Sequence, residues 1–276
     1  MPNLKYADRI ITDTGFESTH VMKVDQNRLQ DFFSVDCTWF WRSDPNQIVL
    51  DTRVNDVNQV IGLVGADPEN PSSLAGEITI WIDGKKNILN KSSLIFVPAG
   101  VSCGPIQINH MEHPIFYTTI APRPDPSAAK MERDPSLPRY TIISETKKKS
   151  VTPPANPTMK STRLLHIEDD MAKGAFYVDF VWLYKGYGQA PAEVHDHEWE
   201  ELIAMTGCDP VHPHDVGGTL SIDLAGETHI IKKSTLVCIP AHVKHCPWKF
   251  IEINKPTLVF SACPSGLYYS SEKKKW

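Results

Sequence analysis

Residues 193–205 have the sequence EVHDHEWEELIAM, which is the most informative stretch of this 276-residue chain. Successive side chains of a β-strand point to opposite faces, so in a strand the odd-numbered His195, His197 and Glu201 lie on one side. Two imidazoles and a carboxylate that converge inside a β-barrel are suitable ligands for a divalent metal ion. The stretch therefore predicts a metal site on a strand that faces a barrel interior.

A fourth ligand is expected at the end of a later strand. Residues 239–245 have the sequence IPAHVKH and provide two candidates, His242 and His245. In the first stretch, Trp199 and Met205 share the predicted ligand face, so we expect them to line the pocket or the barrel core.

The chain repeats itself at an offset of 142 residues. Residues 65–105 align without a gap with residues 207–247, with 15 identities in 41 positions. Two copies of this size are too few and too large for a solenoid, so a duplicated domain fits better. The predicted organisation is an N-terminal barrel at 1–125, a proline-rich linker at 126–160 and a C-terminal barrel at 161–276.

Both copies have the composition of short β-strands separated by turns, which predicts an all-β fold. A short helix is expected only at 25–33. The predicted strand segments are 78–82, 88–89, 94–97 and 115–120 in the first copy, and 220–224, 230–231, 236–239 and 257–261 in the second.

The pattern His-x-His-x-x-x-Glu, followed about 40 residues later by Pro-x-x-x-x-His, resembles the two-part signature of the cupin superfamily. The resemblance implies two tandem cupin barrels (double-stranded β-helix, jelly-roll-like), hence a bicupin. It also implies that the metal ligands are His195, His197, Glu201 and His245. The second copy departs from the family pattern in a long insert after Gly207 and in having His242 where the family has glycine.

The first copy lacks these ligands. Subtracting 142 places Arg53, Asn55, Gln59 and Cys103 at the four positions. A guanidinium disfavours a divalent cation and neutral amides bind it weakly, so we expect one metal ion per chain, in the C-terminal barrel. The N-terminal barrel is then a scaffold, a dimerisation surface or a repurposed binding pocket.

Four side chains are candidates for acid–base chemistry. His212 and His214 lie in the insert of the second copy, His242 lies three residues before His245, and Glu200 precedes Glu201. The sequence favours a surface position for His212 and His214, and it does not identify a general base among the four.

Composition excludes several classes of function. The net charge of −5 gives no basic footprint for nucleic acid, and no stretch is long and apolar enough to span a membrane. The chain shows no secretory h-region and no glycine motif for nicotinamide or flavin cofactors. The six cysteines are scattered in a chain too large to be a disulfide scaffold, so free thiols and a cytoplasmic location are expected.

The resemblance implies several activities. The leading hypothesis is a divalent-metal-dependent hydrolase or lyase (Mn, Fe or Zn) that polarises a small oxygen-rich substrate for C–C or C–O cleavage. Such a substrate is an enolisable carbonyl, a β-dicarbonyl or a phenolic derivative. The alternatives are an Fe- or Mn-dependent dioxygenase and a non-catalytic small-molecule-binding or scaffold bicupin. The expected partners are a small molecule and a second copy in a homodimer.

Overall fold

The computed structural model describes residues 4–12, 20–42, 47–123, 136–146, 158–190 and 192–266. Within these ranges the chain is nearly all β, with one short 3-10 helix at Ala7–Arg9. None of the described helical structure has the length and hydropathy needed to cross a bilayer. The strands, numbered along the chain, are β1 (Ile10–Ile11), β2 (His20–Val24), β3 (Ser34–Phe40), β4 (Gln47–Leu50), β5 (Arg53–Val54), β6 (Gln59–Gly65), β7 (Ser73–Ile82), β8 (Lys85–Lys91), β9 (Ser93–Val97), β10 (Ser102–Met111), β11 (Ile115–Ala121), β12 (Thr141–Ile143), β13 (Lys160–Ile167), β14 (Tyr177–Gln189), β15 (Glu201–Gly207), β16 (Asp215–Leu224), β17 (Glu227–Lys233), β18 (Thr235–Ile239), β19 (His245–Ile253) and β20 (Thr257–Cys263).

The first copy folds into two antiparallel sheets that face each other. One sheet has the order β12-β9-β6-β11-β3-β2, and the other has the order β4-β10-β7-β8 with β5 beside β10. Alternate residues of β7, namely Ile78, Ile80 and Ile82, are fully buried and belong to the apolar core between the sheets. The turn after β7 is made by Asp83 and Gly84, which both have positive φ, as hairpin turns require.

The second copy repeats this arrangement. Its eight strands and β1 form a single curled sheet, because β14 pairs with β20 over one part of its length and with β19 over another. The barrel core includes Ile203, Met205, Ile222 and Val237. All eight predicted strand segments lie inside observed strands, so the all-β fold of two tandem barrels is confirmed.

Each barrel receives an edge strand from outside its own repeat. β1 near the N-terminus pairs with β18 of the second barrel, where Ile10 is level with Val237. β12, inside the segment predicted as a linker, pairs with β9 of the first barrel, where Ile142 is level with Ile95. Each of these two pairings covers a sheet edge of one barrel. The domain bounds 1–125, 126–160 and 161–276 remain a prediction.

The two barrels share an apolar core between their outer faces. Phe180 and Phe260 of the second barrel stack with ring centroids 4.6 Å apart, and Phe260 lies 6.0 Å from Phe116 of the first barrel. The indole of Trp39 donates a hydrogen bond of 3.2 Å to the hydroxyl of Thr206 across the junction. The junction therefore has the packing of a protein interior.

The predicted helix at 25–33 is wrong, since these residues form turns. The carboxylate of Asp25 accepts hydrogen bonds from the backbone N–H groups of Asn27 and Arg28 and caps a single turn, which does not continue as a helix. The Gln26 amide donates to the carbonyl of Phe32 and closes the loop.

Gly65 and Gly207, which occupy equivalent positions in the two copies, have no room for a side chain. A Cβ on Gly207 would lie 2.3 Å from the carbonyl oxygen of Asp215, and one on Gly65 would lie 2.1 Å from that of Ser73. We expect Gly207→Ala to lower the free energy of unfolding by about 2–4 kcal/mol, measured by urea denaturation. Gly226→Asn is the control: it has positive φ but open space, so a loss of under about 1 kcal/mol is expected because Asn tolerates that region. Equal losses in both variants would contradict the steric explanation.

Candidate metal centre

Only the second half of the segment 193–205, which carries three of the predicted ligands, lies in a β-strand. β15 begins at Glu201, and residues 196–200 form a loop. His195 instead forms an isolated bridge with His245, in which each backbone N–H donates to the carbonyl of the other, at 3.1 and 2.9 Å. The prediction of a continuous strand over 193–205 is therefore wrong in its first half, because this bridge holds His195 against β19 rather than in line with β15.

The four predicted ligands nevertheless come together. His195, His197, Glu201 and His245 are all buried, and one potential ligand atom from each lies within 4.8 Å of the others. The His197 Nε2 is 3.3 Å and the His245 Nε2 is 2.8 Å from the Glu201 Oε2. These side chains form a group that could hold one metal ion.

Backbone carbonyl groups fix the orientation of two of the imidazoles. The Nδ1 atom of His195 lies 2.6 Å from the carbonyl oxygen of Glu193, and that of His245 lies 2.9 Å from the carbonyl oxygen of Val243. A carbonyl only accepts, so each Nδ1 carries the proton and each Nε2 points into the cluster. Hydrogen bonds of this kind orient metal-binding histidines in known sites.

The electrostatics of the cluster are those of a cation site. Burial alone would raise the pKa of Glu201, but hydrogen bonds from His197 and His245 hold it well below its ordinary value. Burial lowers the pKa of His195, and the neighbouring His245 lowers it further. Burial also acts to lower the pKa of His245, but its hydrogen bond to Glu201 raises it overall. The buried Glu201 carboxylate thus lies among imidazoles, and a bound cation would compensate its charge. The donor set fits a divalent metal ion.

Trp199 and Met205 have different environments. The Trp199 indole lies in the loop before β15 and stacks on His197, with ring centroids 5.4 Å apart and an interplanar angle of 10°. Met205 is fully buried in the barrel core. Trp199 therefore supports the position of a ligand ring, and Met205 has a packing role.

His242 stabilises a turn through its backbone. Its side chain is exposed, its φ is +62°, and its N–H donates a 2.7 Å hydrogen bond to the carbonyl of His197. In the first copy Gly100 occupies the equivalent position with φ +75°. A side chain is not needed there, so the family glycine is compatible with the same turn.

We expect His242→Gly to retain the bound metal and to change the melting temperature by no more than about 4 °C, which corresponds to about 1 kcal/mol or less. Elemental analysis and a thermal melt check this result. Loss of metal would show that the imidazole itself takes part in the site.

The structure places His212 and His214 far from the cluster. Glu201 and Gly207 are the two ends of β15, about 20 Å apart at 3.3 Å per residue. His212 and His214 follow Gly207 in the next loop, at the far end of the barrel, and His212 there contacts Asp209 at 3.2 Å. Glu200 is half-buried in the loop that leads into β15.

Sequence reasoning missed two side chains that lie level with the cluster. In the sheet order β15-β20-β14, Leu202 pairs with Ala262, so Glu201 is level with Cys263, which in turn pairs with Tyr177. Residues that are level across adjacent strands share a face, so Tyr177 points into the barrel on the Glu201 side. Asp179, two residues along β14, shares that face. Two strand spacings separate Glu201 from Tyr177, or about 10 Å between backbones.

Tyr177 and Asp179 belong to a buried polar network. The Tyr177 hydroxyl donates to Asp179 at 3.4 Å, and Arg163 donates to the same carboxylate at 2.8 Å. His166 lies 3.4 Å from Arg163 and 3.3 Å from Glu168. Burial raises the pKa of Tyr177 well above its ordinary value, and the charge of Asp179 raises it further. No motif spacing marks these residues, which come from two strands and the turn between them.

The equivalent positions in the first barrel hold a different group. Arg53 Nη2 lies 3.4 Å from the amide oxygen of Gln59. Burial raises the pKa of Cys103 to about 11, although the charge of Arg53 opposes this shift. The Cys103 thiol is therefore protonated at neutral pH and is a poor nucleophile.

Several solved structures share this architecture. No protein-family model and no curated protein matches the sequence. Among solved structures, oxalate decarboxylase aligns with a TM-score of 0.59 at 10% identity, over 93% of this chain and 76% of the other. The chain has the cupin fold.

Two further structures align over nearly the whole of this chain. The coconut allergen cocosin aligns with a TM-score of 0.58 at 11% identity, over 93% of this chain and 84% of cocosin. A putative glyoxylate-induced protein from Pseudomonas aeruginosa aligns with a TM-score of 0.54 at 14% identity, over 95% and 87% of the two chains. The oxalate decarboxylase of Bacillus subtilis, a neighbour with a TM-score of 0.59 at 10% identity over 93% and 76%, has Mn(II) centres. At these identities the likeness concerns the fold.

Proposed function

We propose that this bicupin is a divalent-metal-dependent enzyme that cleaves a C–C or C–O bond of a small oxygen-rich substrate, as a hydrolase or lyase. The observation that carries the proposal is the buried group His195, His197, Glu201 and His245, with potential ligand atoms within 4.8 Å of one another. Three neutral imidazoles and a carboxylate would leave a coordination position for substrate or water.

A divalent ion held by His195, His197, Glu201 and His245 would supply Lewis-acid chemistry to an oxygen-rich substrate. Mn, Fe and Zn all suit these ligands. The Mn(II) centres of the Bacillus subtilis oxalate decarboxylase support testing Mn first.

The protein's own side chains would orient the substrate and supply the proton. Tyr177 keeps its proton at neutral pH because its pKa is raised, first by burial. Its hydroxyl faces the barrel interior on the same side as Glu201, so it is placed to donate to a developing negative charge. Without substrate this hydroxyl donates to Asp179, which Arg163 holds at 2.8 Å, so donation to a substrate requires the O–H bond to rotate away from Asp179.

Removing the hydroxyl in Tyr177→Phe is expected to lower kcat about 100-fold or more while metal content stays unchanged. Kinetics on a turned-over substrate, together with elemental analysis, check this. Tyr187→Phe is the matched control, because Tyr187 is 62% exposed. If Tyr177→Phe had wild-type kcat, Tyr177 would not be the proton donor.

The type of reaction is tested with a panel of β-dicarbonyl, phenolic and hydroxy-acid compounds. A Lewis acid does not change oxidation state, so turnover should proceed without O₂ and survive replacement of Mn by Zn. Activity that is abolished anaerobically and consumes O₂ stoichiometrically would instead support an Fe- or Mn-dependent dioxygenase. A protein that binds metal but turns over no compound in the panel would favour the non-catalytic bicupin.

The proposal also concerns the protein's partners and its location in the cell. We propose a small-molecule substrate as the principal partner, and a homodimer as the assembly. All six cysteines are free thiols in the structure, which supports a reducing compartment such as the cytoplasm.

A further inference from the structure

The first barrel contains a cleft at the position that corresponds to the metal centre of the second. It has a volume of about 260 Å³, and its polar lining includes Arg53, Asn55 and Gln59. These are three of the four residues that replace the metal ligands. Protein pockets for small ligands begin near about 300 Å³, so the cleft suits a compact molecule.

The cleft exists because small residues replace large ones at the barrel mouth. Val60 pairs with Ile120, so Gln59 is level with Ala121, which pairs with Ser34. In the second barrel the same row holds Glu201, Cys263 and Tyr177. Ser34 and Ala121 line the cleft of the first barrel, and they leave open the space that a tyrosine and a cysteine occupy in the second.

Two buried donors at this cleft make no hydrogen bond within the described part of the protein. They are the Nε atom of Arg53 and the Nε2 atom of Gln59, whose side chain is only 2% exposed. The Gln59 amide oxygen accepts from Arg53, so the amide nitrogen is the end left over for another acceptor. Buried donors without acceptors are costly, and natural sites place them where a ligand supplies the acceptor.

The charged and polar side chains that line the cleft favour a carboxylate as the hydrogen-bond acceptor. A guanidinium binds a carboxylate through parallel N–H groups, and an amide N–H beside it adds a third donor. Asp25 and Asp36 line the same cleft, and Lys23 lies 4.0 Å from Asp36. A phosphate dianion would meet these carboxylates with unfavourable charge, whereas a monoanionic carboxylate needs only one guanidinium.

We propose that the N-terminal barrel is a binding site for a small carboxylate, in which Arg53 and Gln59 hold the carboxylate group. The second barrel keeps the metal group, and the duplicated fold thereby offers two sites of different chemistry. The proposal does not depend on the proposed enzymatic reaction.

The test is isothermal titration calorimetry on the full chain treated with EDTA, so that carboxylates do not bind through a metal. The probes are the monoanions acetate and glycolate, with glycolamide as the neutral match for glycolate and inorganic phosphate as the competing anion. We expect at least one of the carboxylates to bind with a dissociation constant of about 1 mM or lower. Glycolamide and phosphate should bind at least about tenfold more weakly.

Variants locate the site. Arg53→Met is expected to weaken carboxylate binding at least about tenfold. Gln59→Glu supplies a carboxylate from the protein itself and places at this position the residue found at position 201, so it should fold and still lose binding. His195→Ala, in the other barrel, should bind as the wild type does.

Three results would overturn the proposal. The first is that no carboxylate binds, and the second is that phosphate binds as tightly as the best carboxylate. The third is that binding survives both Arg53→Met and Gln59→Glu or is lost in His195→Ala. If Arg53→Met fails to fold, Gln59→Glu decides, and its fold is checked by its circular dichroism.

Discussion

Replacing Phe260 by alanine is expected to lower the free energy of unfolding by about 3–5 kcal/mol. Phe260 is 1% exposed. Its ring centroid lies 4.6 Å from that of Phe180, on which it stacks, and 6.0 Å from that of Phe116 in the other barrel. Its removal leaves a cavity at the centre of the shared core, where β-strands from both barrels limit collapse. Urea denaturation followed by tryptophan fluorescence and by circular dichroism gives the measurement.

Ile251→Ala on β19 is the matched control, because Ile251 is 48% exposed and its truncation should cost no more than about 0.5 kcal/mol. The shared core also predicts that both barrels unfold in one transition, with the two optical signals coincident. A loss below about 1 kcal/mol in Phe260→Ala would contradict the account of the junction.

Changing a single metal ligand is expected to have the second large effect. His197→Ala and Glu201→Gln should each lower metal affinity at least about 100-fold, since even residues that only support ligands are worth 10–100-fold. Both side chains are almost fully buried, and their ligand atoms lie 3.3 Å apart. Competition with a chromophoric chelator measures the affinity.

The chain supplies controls of the same residue type. His212 and His214 lie in the loop at the far end of β15, so His212→Ala and His214→Ala should bind metal as the wild type does. Wild-type affinity in Glu201→Gln, or lost affinity in His212→Ala, would contradict the assignment of the site.

Much of the fold could be predicted from local pattern. Turn residues such as Asp83-Gly84 and alternating apolar residues such as Ile78 and Ile80 determine structure within a few positions of themselves. Because the chain contains a repeat, the same strands were predicted independently in both copies. The pairing of Ile10–Ile11 with β18 could not be predicted. A two-residue strand has no periodicity of its own, and its position depends on docking against a distant edge.

The candidate site divides in the same way. The ligand spacing from His195 to Glu201 identified a group whose atoms the fold brings together, although the loop at 196–200 interrupts the expected strand. Tyr177 and Asp179 were missed because their nearness to Glu201 arises from strand order across β20, which sequence spacing does not encode. In the segment 25–33, predicted as a helix, only turns form, one of them capped by Asp25.

One divalent metal ion is expected to bind in the C-terminal barrel. Elemental analysis of the purified chain after reconstitution with Mn, Fe or Zn, together with anomalous scattering from crystals, tests it most directly. We predict close to one ion per chain, in contact with His195, His197, Glu201 and His245. Protein that remains free of metal after reconstitution, or a second ion beside Arg53 and Gln59, would contradict it.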